Sequence, residues 1–336
     1  MTAGTPAFDE VTVRGTTFRP ARFCAPMAGF THSAFRRVVA EFGGCGAFWT
    51  EMLSARYVLS EDLRRSTWLR RNPAEPRLVY QLLLNSDDRI DTIVGRLSEL
   101  GPDGLDVNLA CDAPNVRRCR AGSRLFDDVE RLAAVLAGVR RHWSGLLTAK
   151  IRLGRDAVGW EERLEERLRV IADCGVDAVI VHPRFFDDRF RRRARHERLA
   201  WVAGLTRLPI IANGDLANAD CVARLGSALG PARAIMLGRS AIVQPWVFAA
   251  WKQPVAVDYA AVWRRVVDAI REDFEPRCVL GRVRMFSEYY ARNFTYGHTF
   301  YASLQGAETI DGLCARAEVF FARYPDVVSE PHLMGL

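Results

Sequence analysis

Polar residues with catalytic potential follow short apolar runs along this chain. Cys111 comes directly after the run 105–110, and its thiol can hold a proton near neutral pH because free cysteine has a pKa of about 8.5. Lys150 is one of only two lysines beside 45 arginines, and a buried cation of this kind stabilises charge on a reduced flavin ring. Gly214 and Gly238 follow two later runs, where glycine lets backbone N–H groups approach a phosphate. These residues predict a phosphorylated redox cofactor.

Further polar residues occupy equivalent places at the ends of the apolar runs. They are Gln81, Asn108, Arg152, His182, Arg184, Asn213, Asp215 and Arg239. Two alternatives remain open for the residues that matter most. Lys150 could pair with a buried carboxylate such as Asp106, and Cys111 could be a small buried apolar residue, which is the usual fate of a free cysteine.

The elements that must position these residues alternate regularly. Eight apolar, β-branched runs predict strands over 23–27, 47–52, 77–83, 105–110, 146–152, 178–183, 208–214 and 234–239. Helical patterns lie between them, for example over 89–100, 129–143 and 162–175. Eight parallel strands joined by right-handed crossovers predict a (β/α)8 TIM barrel, whose chemistry lies at the carboxyl ends of the strands. A doubly wound open sheet is the alternative, but the first strand–helix turn has no GxGxxG fingerprint.

The pattern changes in the last quarter of the chain. After Trp246 no strand pattern is found, and helical periodicity continues, for example over 259–275. We therefore predict a barrel domain over residues 1–250 and a small helical domain over 251–336.

Composition limits the class of protein. The 336 residues are 49% hydrophobic with a net charge of +7, which favours a polyanionic partner such as RNA, although codon bias would produce the same arginine excess. The eight cysteines form no CxxC pair, which argues against a disulfide framework and against a metal site. Without a membrane-length apolar run or a signal-peptide pattern, we expect a cytoplasmic protein with no membrane contact. We also expect a monomer.

Six blocks, in order, resemble the tRNA-dihydrouridine synthases. The first is APMAGFTHSAFR (25–36), which resembles the opening APM-x-G-x-T-D-x-x-F-R of that family. The second is NLACDAPNVRRCRAGSRL (108–125), which resembles N-x-G-C-P-x-P-x-V-x-x-x-x-A-G-x-x-L. The others are KIRLG (150–154), VHPR (181–184), IIANGDL (210–216) and GRSAIVQPWVF (238–248). As an ordered set spanning most of the barrel, they are specific.

The resemblance implies an FMN-dependent enzyme that uses NADPH to reduce uridine in tRNA, with a role for each matching residue. The flavin site would comprise Pro26, Met27, Gln81, Lys150, His182, Asn213, Gly214, Asp215, Gly238 and Arg239. On the substrate side, the resemblance places Asn108 and Arg152 at the uracil edge. Independently of it, Arg184 at a strand end and Arg191 and Arg192 in a basic run are further candidates for substrate binding. Cys111 would donate a proton to C5 of the uracil, opposite the hydride that reaches C6. We expect the neighbouring Asp112 to disfavour the thiolate and so keep the thiol protonated.

The departures from the family pattern concern the substrate side. Ala110-Cys111-Asp112 stands where the family has Gly-Cys-Pro, and Pro183 replaces a glycine. These changes keep a second enzymatic function open, in which a flavin barrel of this kind acts on another unsaturated small molecule or nucleoside. A third possibility is an RNA-binding barrel without catalysis, which the retention of Cys111 and Lys150 argues against.

Two arginine-rich segments could contact RNA. The run RFRRRARHER (189–198), which contains Arg191 and Arg192, follows the sixth predicted strand, on the face where substrate would approach. The helical segment 277–294 mixes arginine with aromatic residues. A solvated helix face is the alternative for the first segment, because most charge runs have no other role.

Overall fold

The computed structural model describes residues 7–188 and 191–333, in which a parallel sheet forms the centre of the molecule. The strands are β1 (Val11–Val13), β2 (Thr16–Phe18), β3 (Arg22–Cys24), β4 (Ala47–Trp49), β5 (Leu53–Ser54), β6 (Leu78–Leu83), β7 (Gly104–Asn108), β8 (Leu146–Arg152), β9 (Ala178–His182), β10 (Ile210–Asn213) and β11 (Ala232–Leu237).

The sheet closes on itself. Strands β6 to β11 follow one another in parallel, β11 pairs with β3, β3 with β4, and β4 with β6. The eight strands of this closed circuit are those predicted from the sequence, so the (β/α)8 TIM barrel is confirmed. The short β5 is an addition that pairs with the carboxyl end of β6.

The predicted runs extend past the observed strands mainly at their carboxyl ends. The first run includes Pro26 and Met27, whereas β3 ends at Cys24, and the fourth includes Ala110, whereas β7 ends at Asn108. These residues remain apolar because they line a cavity or the core after the ladder has ended, so burial extends further than strand pairing does.

The amino ends of the strands are closed by a hairpin that the sequence analysis did not identify. Strands β1 and β2 pair antiparallel around Arg14 and Gly15, both of which have positive φ. The Arg14 side chain donates to the Ser144 carbonyl at 2.8 Å and to Asp177 at 3.1 Å, next to the amino ends of β8 and β9. The hairpin therefore packs at the amino end of the barrel, opposite the cavity at the carboxyl ends of the strands.

Helices surround the barrel and form the C-terminal region. They are α1 (Ser33–Phe42), α2 (Ala55–Ser60), α3 (Ile90–Ser98), α4 (Pro114–Arg118), α5 (Ser123–Asp127), α6 (Val129–His142), α7 (Trp160–Asp173), α8 (Leu199–Leu205), α9 (Ala219–Leu225), α10 (Arg239–Val243), α11 (Tyr259–Asp273), α12 (Pro276–Tyr290), α13 (Gly297–Gln305) and α14 (Ile310–Phe321). The predicted helices correspond to α3, α6, α7 and α11, with bounds that differ by at most two residues.

The C-terminal helices pack directly on the barrel. On α1, Arg37 pairs with Glu272 at 2.6 Å and donates to the Ala269 carbonyl of α11 at 3.3 Å. A continuous buried cluster runs from the barrel into α11–α14. The helical character of this region is as predicted, and its division from the barrel at residue 250 stays a prediction. No helix within the described ranges is both long and apolar enough to cross a bilayer.

Candidate active site

A cavity of about 750 Å³ opens at the carboxyl ends of the barrel strands, within the usual size range for a cofactor site. Thirteen predicted site residues line it: Pro26, Met27, Gln81, Asn108, Cys111, Lys150, Arg152, His182, Asn213, Gly214, Asp215, Gly238 and Arg239. The structure therefore brings these residues together, although they are spread over more than 200 positions of the sequence.

A chain of hydrogen bonds orients the amides at the base of this cavity. Gln81 donates to the Asp106 carboxylate at 2.7 Å and accepts from Asn108 at 2.8 Å. The second Asp106 oxygen accepts from Thr148 at 2.6 Å. Burial raises the pKa of Asp106 to about 6, against the opposing effect of these two hydrogen bonds. Asp106 therefore sets the direction in which the Gln81 amide faces the cavity.

Lys150 lies on β8 in the same layer as Asn108 on the neighbouring strand. Among the described residues no direct ion pair joins Lys150 to Asp106, whose oxygens accept from Gln81 and Thr148, although the two opposite charges attract each other across the site. Burial lowers the pKa of Lys150 to about 8, and Arg152 adds to the shift. A cation with this pKa is mostly charged at pH 7.

The loop after β10 brings a glycine against the His182 ring. Gly214 has a φ of +100°, and a Cβ built on it would lie 2.5 Å from His182 Cδ2, so only glycine fits here. Burial and four surrounding cations keep the pKa of His182 well below its usual range. The neutral ring lies 3.0 Å from the Arg184 guanidinium.

Arg184 and Asp215 differ from their predicted roles. Arg184 does not line the cavity. Its fully buried guanidinium donates twice to Asp215, at 2.7 and 2.8 Å, so it supports the site instead of facing substrate. Asp215 does line the cavity, but its carboxylate also accepts from Arg239 at 3.0 Å and from the Ala194 N–H. It therefore holds Arg239 in place and is not itself suited to a phosphate.

Arg191 and Arg192 lie outside the cavity on the surface. Both are exposed, and Arg192 lies 3.7 Å from Asp188. Residues 189 and 190 of the basic run fall outside the described residues, and the rest of the run forms a loop with one 3-10 turn over His196–Arg198. The described part of the run is therefore an exposed loop and not a helix face, and its contact with RNA stays a prediction.

Cys111 lines the cavity at the start of a tightly held loop. Its N–H donates to the Asn108 side chain at 3.0 Å, and its carbonyl accepts from the Ser123 N–H at 2.9 Å. Asp112 accepts from the Ser123 hydroxyl at 2.5 Å and from Arg155 at 3.2 Å. The Asp112 carboxylate is thus paired with Arg155. Its effect on the Cys111 thiol stays a prediction.

Several lining residues were missed in the sequence analysis, above all Tyr289 on α12. Its ring packs edge-on against Phe30 at 4.8 Å. On the same helix Met285 occupies the space where a Gly29 side chain would begin, with its Cε 2.8 Å from that position. Helix α12 therefore packs on the loop that carries Pro26 and Met27. Its other aromatic residues, Phe286 and Tyr290, are buried and could not dock RNA.

Within the described ranges no group of three His, Cys, Asp or Glu side chains could hold a metal ion. The cavity is instead rich in cations and amides. Its composition suits an anionic, hydrogen-bonding organic ligand.

Comparison with known proteins decides the family. The family model described as Dihydrouridine synthase (Dus) matches residues 23–320. The chain belongs to the dihydrouridine synthase family. As a member, it is an oxidoreductase enzyme, as the ordered blocks predicted.

Curated dihydrouridine synthases resemble two thirds or more of the chain. A probable tRNA-dihydrouridine synthase of Helicobacter pylori is 30% identical over 232 residues, which is 67% of this chain and 68% of that protein. The tRNA-dihydrouridine synthase B of Salmonella typhimurium is 31% identical over 229 residues, with the same coverage. A probable tRNA-dihydrouridine synthase of Aquifex aeolicus is 27% identical and covers 80% of both chains.

Solved structures support the barrel fold of this dihydrouridine synthase. The old yellow enzyme homologue from Zymomonas mobilis superposes with a TM-score of 0.52 at 12% identity, covering 71% of this chain and 90% of that one. TcOYE gives a TM-score of 0.52 at 10% identity, covering 80% and 99%. At such low identity the likeness concerns the fold alone.

Proposed function

We propose that this enzyme reduces uridine in tRNA to 5,6-dihydrouridine, with FMN as its cofactor and NADPH as the reductant. One observation carries the proposal: a single cavity is lined both by the cationic, glycine-bearing ends of β8–β11 and by the Cys111 thiol. The curated relatives are named for the same reaction on tRNA.

The residues at the ends of β10 and β11 fit a phosphorylated flavin. A Cβ built on Gly238 would make ordinary contact with Met27 Sδ at 3.5 Å, so protein packing alone does not require glycine there, whereas Gly214 allows the chain to turn against His182. Asp215 holds the Arg239 guanidinium in place, and in this position the positive charge of Arg239 would bind the FMN phosphate. Bound here and reduced by NADPH, FMN would supply the hydride that goes to C6 of the uracil. Lys150 would place its positive charge at the pyrimidine edge of the ring, with Gln81 beside it.

Cys111 would donate the proton that completes the reduction. Hydride arrival at C6 leaves negative charge at C5 and O4 of the uracil. The thiol S–H bond breaks as the C5–H bond forms, and the thiolate then recovers a proton from water. Asn108 holds the backbone of Cys111 in place and retains one amide N–H, which faces the Met52 sulfur at 4.0 Å. That N–H and the Arg152 guanidinium would bind the uracil oxygens.

The test maps dihydrouridine in tRNA from cells with and without the gene, and measures the purified protein in parallel. We expect a yellow protein with one FMN per chain that oxidises NADPH. It should also form dihydrouridine in tRNA isolated from the cells without the gene. A colourless protein that takes up no FMN would contradict the cofactor. FMN uptake and NADPH oxidation without any effect on tRNA would favour reduction of a different unsaturated substrate. The cytoplasmic location and monomeric state stay predictions.

Gly214→Ala is expected to reduce both stability and flavin content. The new Cβ would lie 2.5 Å from His182 at a φ that L-residues rarely adopt, a strain of about 1–3 kcal/mol. We expect a lower melting temperature and less than half of the wild-type flavin absorbance per chain. Gly204→Ala on α8 is the control, because its Cβ would meet nothing within 4 Å. Full flavin content in Gly214→Ala would contradict the role of Gly214 in the flavin site.

Neutralising Arg191, Arg192 and Arg193 together is expected to weaken tRNA binding. The three side chains are exposed, and removing an arginine that binds a phosphate should lower the salt dependence of binding by about one unit of slope. Affinity measured across a salt series checks this. The control replaces Arg141, Arg207 and Arg233, exposed arginines near the amino ends of the strands. If both triple variants bind alike, the basic loop does not contact tRNA.

A further inference from the structure

An exposed tyrosine lies beside the mouth of the cavity on a segment that the proposed chemistry does not use. Tyr57 is on α2, directly after β5, and 55% of its surface is exposed. Strand β5 pairs with the last two residues of β6, and Met52, just before β5, lines the cavity. Tyr57 is therefore at the carboxyl end of the barrel, five residues after a residue that lines the cavity and outside the lining itself.

Other rings and one guanidinium support the Tyr57 ring from behind. Its centroid lies 6.0 Å from that of Trp68, and Trp68 lies 6.1 Å from Phe274. The Arg282 guanidinium sits over Phe274 at 4.0 Å and over Trp68 at 5.6 Å. Arg282 also donates to the carbonyl of Gly29 at 3.4 Å, in the loop that borders the cavity. This aromatic ladder of Tyr57, Trp68 and Phe274, with Arg282 against it, is packed in place without a ligand. Little side-chain entropy is therefore lost on binding.

Positive charge surrounds the exposed end of the ladder. Arg56, Arg64 and Arg65 are exposed, and none of them forms an ion pair with another described residue. The acids of this segment are Glu61 and Asp62, and Asp62 accepts from the backbone N–H groups of Arg64 and Arg65. An exposed aromatic ring among unpaired arginines suits a single-stranded segment of nucleic acid. Its bases can stack on the ring and its phosphates can bind the arginines.

We propose that Tyr57 stacks on an unpaired base of the tRNA next to the target uridine. The inference rests on the proposed function, and its reason is energetic. A uridine that enters a cavity inside the barrel must leave its own stack, at a cost of a few kcal/mol. A ring at this end of the barrel offsets part of that cost by giving the neighbouring base a new stacking partner. Arg56, Arg64 and Arg65 would hold the adjacent phosphates.

Stacking and phosphate binding differ in their response to salt, so one titration separates them. The probe is total tRNA from cells lacking the gene. Tyr57→Ala should weaken tRNA binding about 5–150-fold, the range that removal of one stacking ring produces, with an unchanged salt slope. Tyr57→Phe keeps the ring and should bind as the wild type does. The double variant Arg64→Gln, Arg65→Gln should lower the salt slope by about two.

Tyr324→Ala is the matched control, because Tyr324 is 91% exposed in the C-terminal region and should not matter. Flavin content and NADPH oxidation check that each variant is folded. Wild-type affinity in Tyr57→Ala, or a Tyr57→Phe variant as weak as Tyr57→Ala, would overturn the stacking role. If the wild type forms no dihydrouridine but Tyr57→Ala still weakens tRNA binding, the proposed reaction fails and this surface stands. If the wild type forms dihydrouridine and Tyr57→Ala binds normally, only the stacking role fails.

Discussion

Replacing Cys111 with alanine is expected to lower dihydrouridine formation by about 10²–10⁴-fold, the usual value of general acid catalysis. Flavin reduction by NADPH needs no proton donor on the substrate side, so its rate should stay at the wild-type value. Cys111 lines the cavity, and its backbone is held by Asn108 and Ser123, so the loop should keep its shape in the variant. Stopped-flow flavin reduction and dihydrouridine quantification, measured on the same preparation, separate the two half-reactions.

Cys119→Ala is the control for this experiment. Cys119 follows α4 in the same loop, is exposed and does not line the cavity, so its replacement should be nearly neutral. An equal drop in activity in the two variants would mean that the wrong thiol has been assigned. Full activity of Cys111→Ala would remove the proton-donor role altogether.

Replacing Lys150 with methionine is expected to slow reduction of the bound flavin by about 10²–10³-fold, the range for losing one preorganised electrostatic group. The substitution removes the cation while roughly keeping the volume of the side chain. The charge also predicts a pH dependence, because Lys150 is protonated below its pKa of about 8 and neutral above it. FMN affinity of the wild type should therefore fall as the pH rises through 8, and that fall should be absent in Lys150→Met. Flavin fluorescence titrations between about pH 6 and 10 measure it, roughly two units on either side of the pKa of Lys150.

Lys252→Met serves as the control for Lys150, since these two are the only lysines of the chain. Lys252 is exposed and pairs with Asp9 at 3.1 Å, away from the cavity. Its replacement should change neither flavin reduction nor the pH dependence. A Lys150→Met variant with the wild-type pH profile would show that another group titrates.

The barrel and most of its lining residues were predictable because both depend on local periodicity. Eight apolar runs determine eight strands, and the barrel rule then places Gln81, Lys150 and Gly214 at one end. Arg184 was harder, because it follows a strand as a ligand-binding residue would. Only the three-dimensional arrangement shows that its guanidinium forms an ion pair with Asp215, which is 31 residues away.

Contacts between distant segments could not be predicted from a single sequence. Tyr289 reaches the cavity from a helix more than 250 residues after Phe30, against which it packs. Its neighbours in the sequence show ordinary helical periodicity, so nothing marks it out. The partner of Asp112 was hidden for the same reason, since Arg155 belongs to the loop after the next strand.

The packing of α12 on the first strand–helix loop bears on how such a protein can evolve. Met285 occupies the space that a side chain on Gly29 would need, and the rings of Phe30 and Tyr289 are in contact. A substitution on either side therefore requires a compensating one on the other, and the barrel and the helices must be inherited as a matched set. Recombination that joined this barrel to the helices of a distant homologue would place mismatched side chains directly beside the cavity.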